Sequence, residues 1–233
     1  MMYISRIELN CRRRETRYLL ASPQRLHAAL AASFPADSAG AEKRMLWRTD
    51  NLTNSLYIIM QSQRKPDFTH IVEQYGWPAA NQQWLTKEYG PFLEGLQTGQ
   101  AWQFRLRANP VRSRLRTGAG KEAGREQGRG QVSAWASAED QKKWLLRKGA
   151  QHGFRFLTEG DKVRNLEVVQ KEIKEFSRLD TAANEHKKVT ISMATFEGIL
   201  LIENREKFTA AMVDGIGRAK AYGCGLLTLA RLP

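Results

Sequence analysis

Gly215-Ile216-Gly217-Arg218-Ala219-Lys220-Ala221-Tyr222-Gly223-Cys224-Gly225 holds four glycines in eleven residues, set as two G-x-G steps. Just upstream, Glu206 to Asp214 reads as a helix with Phe208, Ala211 and Met212 on one face. Just downstream, Leu226 to Leu232 reads as a strand. The order is helix, glycine-rich loop, strand. A dinucleotide-binding fingerprint follows a strand and opens a helix, so that fold is excluded. Glycines allow positive φ and close backbone approach, which aims main-chain N–H groups at phosphate oxygens. Arg218 and Lys220 add charge for the same phosphates.

Working back from this loop, Val189-Ile191-Met193 and Phe196-Gly198-Leu200-Ile202 make two strands that pair or run on into each other. Ser137-Ala138-Glu139-Asp140 starts a helix in capping-box fashion; the helix carries Trp144 and Leu145 and is expected to stop at Gly149. Trp102, Phe104 and Leu106 alternate with Gln103, Arg105 and Arg107, a strand with one apolar and one cationic face. The N-terminal half opens on an alternating strand, Tyr3 to Leu9. Ser22-Pro23 then starts a helix with Leu26, Ala29, Leu30 and Ser33 on one face, closed by Phe34-Pro35. Met45-Leu46-Trp47 and Leu56 to Met60 read as strands around a turn at Asp50 to Asn54. Pro66 to Leu96 shows poor periodicity, with one more strand expected near its end. The fold class is α+β: two tandem ferredoxin-like (RRM-like) domains with antiparallel sheets, residues 1–96 and 97–233.

The chain has 233 residues, 37 Lys+Arg against 24 Asp+Glu, and a formal net charge of +13. A hydrophobic fraction of 42% with 9% aromatics is that of a packed protein, not a disordered one. No run approaches the ~18 apolar residues of a membrane helix. Cys11 and Cys224 are too few for a disulfide scaffold, which fits a reducing cytoplasm. The partner is expected to be anionic, nucleic acid before a membrane surface. The charge has an address. Arg112, Arg114, Arg116, Lys121, Arg125 and Arg129 face only Glu122 and Glu126 in a glycine-rich stretch directly after the cationic strand. That stretch reads as an exposed basic loop.

Phe104-Arg105-Leu106-Arg107-Ala108-Asn109-Pro110, Phe196-Glu197-Gly198 and the glycine-rich loop running into Leu226-Leu227 together resemble the CasE-type CRISPR RNA endoribonucleases, repeat-associated proteins of type I-E Cascade complexes. The opening Tyr3-Ile4-Ser5-Arg6 and the Leu26-His27 helix match as well. The resemblance implies tandem ferredoxin-like domains and metal-independent, cofactor-free cleavage of precursor CRISPR RNA at the base of the repeat hairpin. The 2′-OH attacks in line, a 2′,3′-cyclic phosphate forms, and the protein stays on its product. It implies as partners the repeat RNA hairpin and other Cascade subunits, chiefly the CasC backbone protein, with no membrane.

The family's histidine corresponds to His27, and an imidazole titrates where either proton-transfer role is open to it. Pro23 stands where the family has a tyrosine, so Tyr18 and Lys220 are the expected helpers. Stem contacts are expected from Arg105, Arg107, Arg112, Arg114 and Arg116. Backbone contacts are expected from Gly215, Gly217, Arg218, Lys220, Gly223 and Gly225. His70, His152 and His186 match no motif and read as structural. The competing reading is a non-catalytic RNA-hairpin-binding subunit of a ribonucleoprotein.

Overall fold

A computed structural model describes residues 1–35, 45–114, 131–135, 137–159, 162–163, 165–180 and 185–232. The first unit runs β1 (Tyr3–Leu9), α1 (Arg14–Leu20), α2 (Pro23–Ala31), β2 (Leu46–Leu52), β3 (Ser55–Ser62), α3 (Thr69–Tyr75) and β4 (Trp84–Glu88), followed by the short α4 (Gly90–Glu94). Its sheet has the order β2-β3-β1-β4, antiparallel throughout. Alternation sends Ile7, Leu9, Ile58 and Met60 to one face, where Leu26 and Leu30 of α2 and Ile71 and Val72 of α3 meet them. Each such side chain, fully buried, contributes roughly 1.5–3 kcal/mol. The turn between β2 and β3 is tighter than the expected Asp50 to Asn54. Asp50, Asn51 and Leu52 stay in the ladder, and only Thr53 and Asn54 turn, both at positive φ. Two residues at positive φ match the natural twist of a hairpin, so the strands extend to meet them.

The second unit repeats the plan with additions. It runs β5 (Ala101–Ala108), β6 (Val111–Arg114), β7 (Gln131–Ala134), α5 (Ala138–Gln151), β8 (Phe154–Phe156), β9 (Thr158–Glu159), β10 (Lys162–Val163), β11 (Leu166–Asp180), β12 (Glu185–Ile202), α6 (Arg205–Asp214) and β13 (Leu227–Ala230). The main sheet has the order β11-β12-β5-β13, with β8 pairing along the end of β12. Taking β5, β11, β12 and β13 as its four strands, the first again lies between the third and fourth, as in the first sheet. The fold is therefore two tandem ferredoxin-like units. Val189 to Ile202 forms no hairpin; it runs on as the single strand β12, because β5 and β11 flank it along its length. Gly149 is not a cap. The helix passes through it to Gln151, since Phe154 packs where a Cβ would stand, its carbonyl oxygen 2.6 Å away. Ser137 does cap α5, accepting from the Asp140 N–H. Among the described residues no helix is long and apolar enough to cross a membrane.

The two units are joined through β2, the edge of the first sheet. Arg48 is 2% exposed and every one of its guanidinium nitrogens is engaged. Nε and Nη2 donate to the Asp50 carboxylate at 2.7–3.0 Å. Nη1 donates to the carbonyls of Arg105 and Leu226 at 2.9 Å, and Nη2 also to Thr228 Oγ1 at 2.9 Å. One arginine thus ties the first sheet to both β5 and β13. Gln61 Nε2 adds a bond to the Met212 carbonyl at 3.0 Å. Tyr89, Leu93 and Leu96 continue the join from the other side, packing into the core of the second sheet with Phe104, Leu106, Phe196 and Phe208.

Candidate active site and nucleic-acid interface

His27 sits on α2, half-buried, where the helix meets β2 and the 3-10 turn Lys220–Tyr222. Its Nδ1 accepts a hydrogen bond from Trp47 Nε1 at 3.3 Å. Burial lowers its pKa below the usual imidazole value, so the ring is neutral around pH 7. Leu26 and Leu30 face the core; His27, about 100° around from Leu26, is left at the helix flank.

Two clefts flank this helix. One, of about 230 Å³, lies between the units and is lined by Pro23, Trp47, Thr49, Arg107, Glu172 and Tyr222 among others. The second, of about 490 Å³, is lined by Gln24, Arg25 and Ala28 of the helix with Glu175 and Phe176 of β11.

Tyr18 is directed elsewhere. It is exposed on α1 with the Arg25 guanidinium 3.7 Å from its ring centroid, and Arg25 Nη1 donates to the Tyr18 carbonyl at 2.7 Å. Arg25 lies two residues before His27, about 200° around the helix, so this pair occupies the far side of α2.

All four glycines of the C-terminal loop hold positive φ, from 77° to 93°. Two of them explain the loop's position. A Cβ at Gly215 would stand 2.8 Å from the Leu46 side chain, and one at Gly223 would stand 2.7 Å from the Trp47 ring. The loop lies flat on β2, and its nearest neighbour there is the tryptophan that bonds His27. Several of its N–H groups serve the loop's own shape: Ile216 N–H donates to the Gly225 carbonyl at 3.0 Å and Gly225 N–H to the Arg107 carbonyl at 2.7 Å.

The cations fall into two groups. Arg105 and Arg107, on the cationic face of β5, point into the join between the units. Arg105 pairs with Glu197 and, through Nε at 3.1 Å, with Asp50. Arg107, 8% exposed, donates to Thr49 Oγ1 and Glu172 Oε2, both at 3.1 Å. The structure gives both residues a holding role inside the protein, where the sequence suggested an RNA-facing one. Turned toward solvent are Arg218, which is exposed, and the cleft beside it. That cleft, of about 360 Å³, is lined by Asn109, Val111, Trp144, Lys148, His152, Gly215, Gly217, Arg218 and Lys220, with no carboxylate among the described residues. The charges of Lys148 and Lys220 help to lower the pKa of His152, after burial itself, which places three basic groups around one space.

Arg112, at the root of the β6–β7 hairpin, stacks 4.8 Å from the Trp135 ring, and Arg147 of α5 approaches the same ring at 5.6 Å. Arg114 belongs to the backbone of β6; its side chain and Arg116, with the rest of the basic loop, lie outside the described residues. Among the described residues no three His, Cys, Asp or Glu side chains cluster as metal ligands.

Sequence reasoning missed Trp47, Arg48 and Asp50. A charged pair two residues apart in an otherwise apolar strand, Met45-Leu46-Trp47-Arg48-Thr49-Asp50, was the available signal, since such residues share one face of a sheet. Lys148 and Arg147, on α5, carried no local signal.

Residues 2–231 match a family described as CRISPR associated protein. CRISPR-associated endoribonuclease Cse3 of Thermus thermophilus is 29% identical over 231 residues, covering 98% of this chain and all of that one. The Cascade subunit CasE of Escherichia coli K12 is 32% identical over 137 residues, 59% of this chain and 61% of that one. The solved structure of CRISPR endoribonuclease Cse3 bound to a 19-nucleotide RNA superposes with a TM-score of 0.76 at 27% identity, over 98% of this chain and 99% of that one. A Thermus thermophilus Cse3 structure with an RNA representing a pre-cleavage complex gives 0.73 at 26%, over 98% of each. With the family match spanning residues 2–231 and the fold shared with Cse3 over nearly the whole length, the chain belongs to the CRISPR-associated protein family.

Proposed function

We propose that this chain is an endoribonuclease that binds the hairpin of CRISPR repeat RNA and cleaves precursor CRISPR RNA beside it. The observation that carries the reading is His27: an imidazole at the junction of two units, on a helix packed against the turn that brings Lys220 to the basic cleft, in a chain whose full-length relative in Thermus thermophilus bears the name endoribonuclease.

Cleavage by the neighbouring 2′-OH needs no water and no resident metal. The 2′-oxygen attacks the phosphorus in line as its proton leaves, the bond to the 5′-oxygen breaks, and a 2′,3′-cyclic phosphate and a 5′-hydroxyl result. His27 serves this proton traffic. Lys220 and Arg218, at the edge of the cleft beside the glycine loop, neutralise the charge that builds on the phosphate. Arg112 and Arg147, held on Trp135, grip phosphates of the stem. In this division of labour residues 1–96 carry the histidine and residues 97–233 most of the RNA surface. The protein works within a Cascade assembly, as the name of the E. coli relative suggests, and in this reading it stays on its product in the cytoplasm beside a CasC-type backbone protein.

Single-turnover cleavage of a cognate repeat hairpin tests this. His27→Ala is expected to slow cutting by about 10²–10⁴-fold, the usual worth of one acid–base group, while hairpin affinity changes less than about twofold. Wild-type protein that leaves cognate RNA intact with and without divalent metal would overturn the enzymatic reading in favour of a binding subunit.

A further inference from the structure

We propose that Trp47 is a positioning residue for His27, its indole N–H fixing the imidazole with Nδ1 as acceptor and Nε2 as the proton-bearing nitrogen, and that the glycine-rich loop acts on the reaction by holding Trp47 in place. The proposal rests on the reading of His27 given above.

An indole nitrogen only donates. The 3.3 Å approach of Trp47 Nε1 to His27 Nδ1 therefore requires a lone pair on Nδ1, and the single proton of the neutral ring resides on Nε2. Trp47 has no freedom to offer another geometry. It is 2% exposed, paired across the sheet with Met60, and packed with Ile7, Leu26 and Met45. On its other side lies Gly223, whose missing Cβ leaves the room the ring occupies. That Cβ would stand 2.7, 3.0 and 3.1 Å from three ring carbons. The positive φ of Gly223, 82°, bars other residues from the site for a second reason.

The catalytic ring is thus oriented by a chain that starts in the last twenty residues: Gly223 against Trp47, Trp47 against His27. The charged and titratable groups on the described elements around α2 are Lys220 on the 3-10 turn, Glu172, Lys174 and Glu175 on β11, Arg105 and Arg107 on β5, His70 on α3, whose Nε2 meets the Ala29 carbonyl at 3.0 Å, and Arg25 on α2 itself.

Two chemical consequences follow. The nitrogen left to face the RNA is an N–H that the neutral ring offers as a hydrogen bond to a phosphate oxygen or to the charge growing on the 5′-oxygen; handing the proton over requires the ring first to take a second one. A second proton can enter only at Nδ1, where it opposes the indole N–H. Trp47 therefore favours the neutral ring, in the same direction as burial.

Nitrogen-15 spectra of the RNA-free wild-type protein test the tautomer directly and require no activity. Nδ1 of His27 is expected to be the unprotonated nitrogen; a proton found there at neutral pH would overturn the proposal. Trp47→Phe keeps a buried ring and removes the N–H. The His27 titration midpoint is then expected to rise by about 0.5–1 unit, the equivalent of one neutral hydrogen bond. The inflection of the cleavage pH profile should rise with it, at unchanged hairpin affinity. A midpoint and profile that stay put in Trp47→Phe would overturn the proposal. Gly223→Ala, which leaves the N–H but displaces the ring, is expected to slow single-turnover cleavage at saturating RNA at least tenfold, and wild-type rates in this variant would overturn the loop's part in holding Trp47. Failure of the wild type to cut RNA at all, with the tautomer as described, would count against the enzymatic reading alone.

Discussion

At the scale of single residues, burial decides what each reactive group can do. Cys224 is fully buried and its thiol is pushed up to about 12, whereas Cys11 is exposed. Iodoacetamide on the native protein at pH 8 is expected to label Cys11 and spare Cys224, with peptide mass spectrometry as the readout; a second label should appear only in denaturant. His27 makes the opposite kind of statement. Its folded-state pKa lies below that of the unfolded chain, so the unfolded state binds the extra proton first. Its contribution is nil above about pH 6.5 and becomes destabilising as the pH falls through that value toward the folded pKa. Chemical denaturation between pH 7.5 and 5 should show that loss, and His27→Gln should show less of it. His27 itself was legible in the sequence only through the resemblance, because a lone histidine on a helix flank has no distinguishing pattern. Trp47 was not legible at all, since its partners sit 20 residues before it and some 175 residues after.

Secondary-structure elements were read well where they are long and amphipathic. β1, α2, β5, α6 and β13 stand where periodicity places them, because each buries one face in one core. β11 escaped notice. The register slips between Val168 and Gln170, so its alternation changes phase midway, and Ile173 at 69% exposure adds a misleading apolar residue on the outer face. α1 and α3 escaped because seven residues burying two side chains each leave no period to detect.

The basic hairpin illustrates how an element can matter through its root. Trp135 holds Arg112 of β6 and Arg147 of α5 on one ring. Trp135→Ala is expected to weaken repeat-hairpin binding by about three- to tenfold, at the scale of one or two cation–π contacts, and to leave the cleavage rate at saturating RNA within about twofold. Filter binding and single-turnover kinetics separate the two effects.

For the molecule as a whole, the net charge of +13 divides into cations that hold the protein together and cations turned to the surface, where the proposed function puts the RNA. Arg48, Arg105 and Arg107 belong to the first group. Arg48→Ala would leave Asp50, 4% exposed, with a single cation and release two backbone acceptors. A loss of about 3–5 kcal/mol is expected, lowering Tm by roughly 10 °C. Thermal melts of wild type and variant check this. The salt dependence of RNA binding should follow only the second group, so Arg218→Gln is expected to flatten the slope of log K against log salt by roughly one counterion while barely changing Tm. The division was invisible in the sequence because both groups are arginines next to apolar strands; only the approach of β2 to β5 tells them apart.

The Arg48 join also sets a timetable. Its acceptor on Leu226 lies 178 residues downstream and Thr228 180. At a synthesis rate of about 5–20 residues per second, the first unit waits on the order of ten to thirty seconds between the emergence of its edge strand and the arrival of the strand that covers it. During that interval β2 presents an unpaired edge and an uncovered buried-to-be charge pair, the state in which a nascent chain is most exposed to chaperones and to pairing with its neighbours on a polysome.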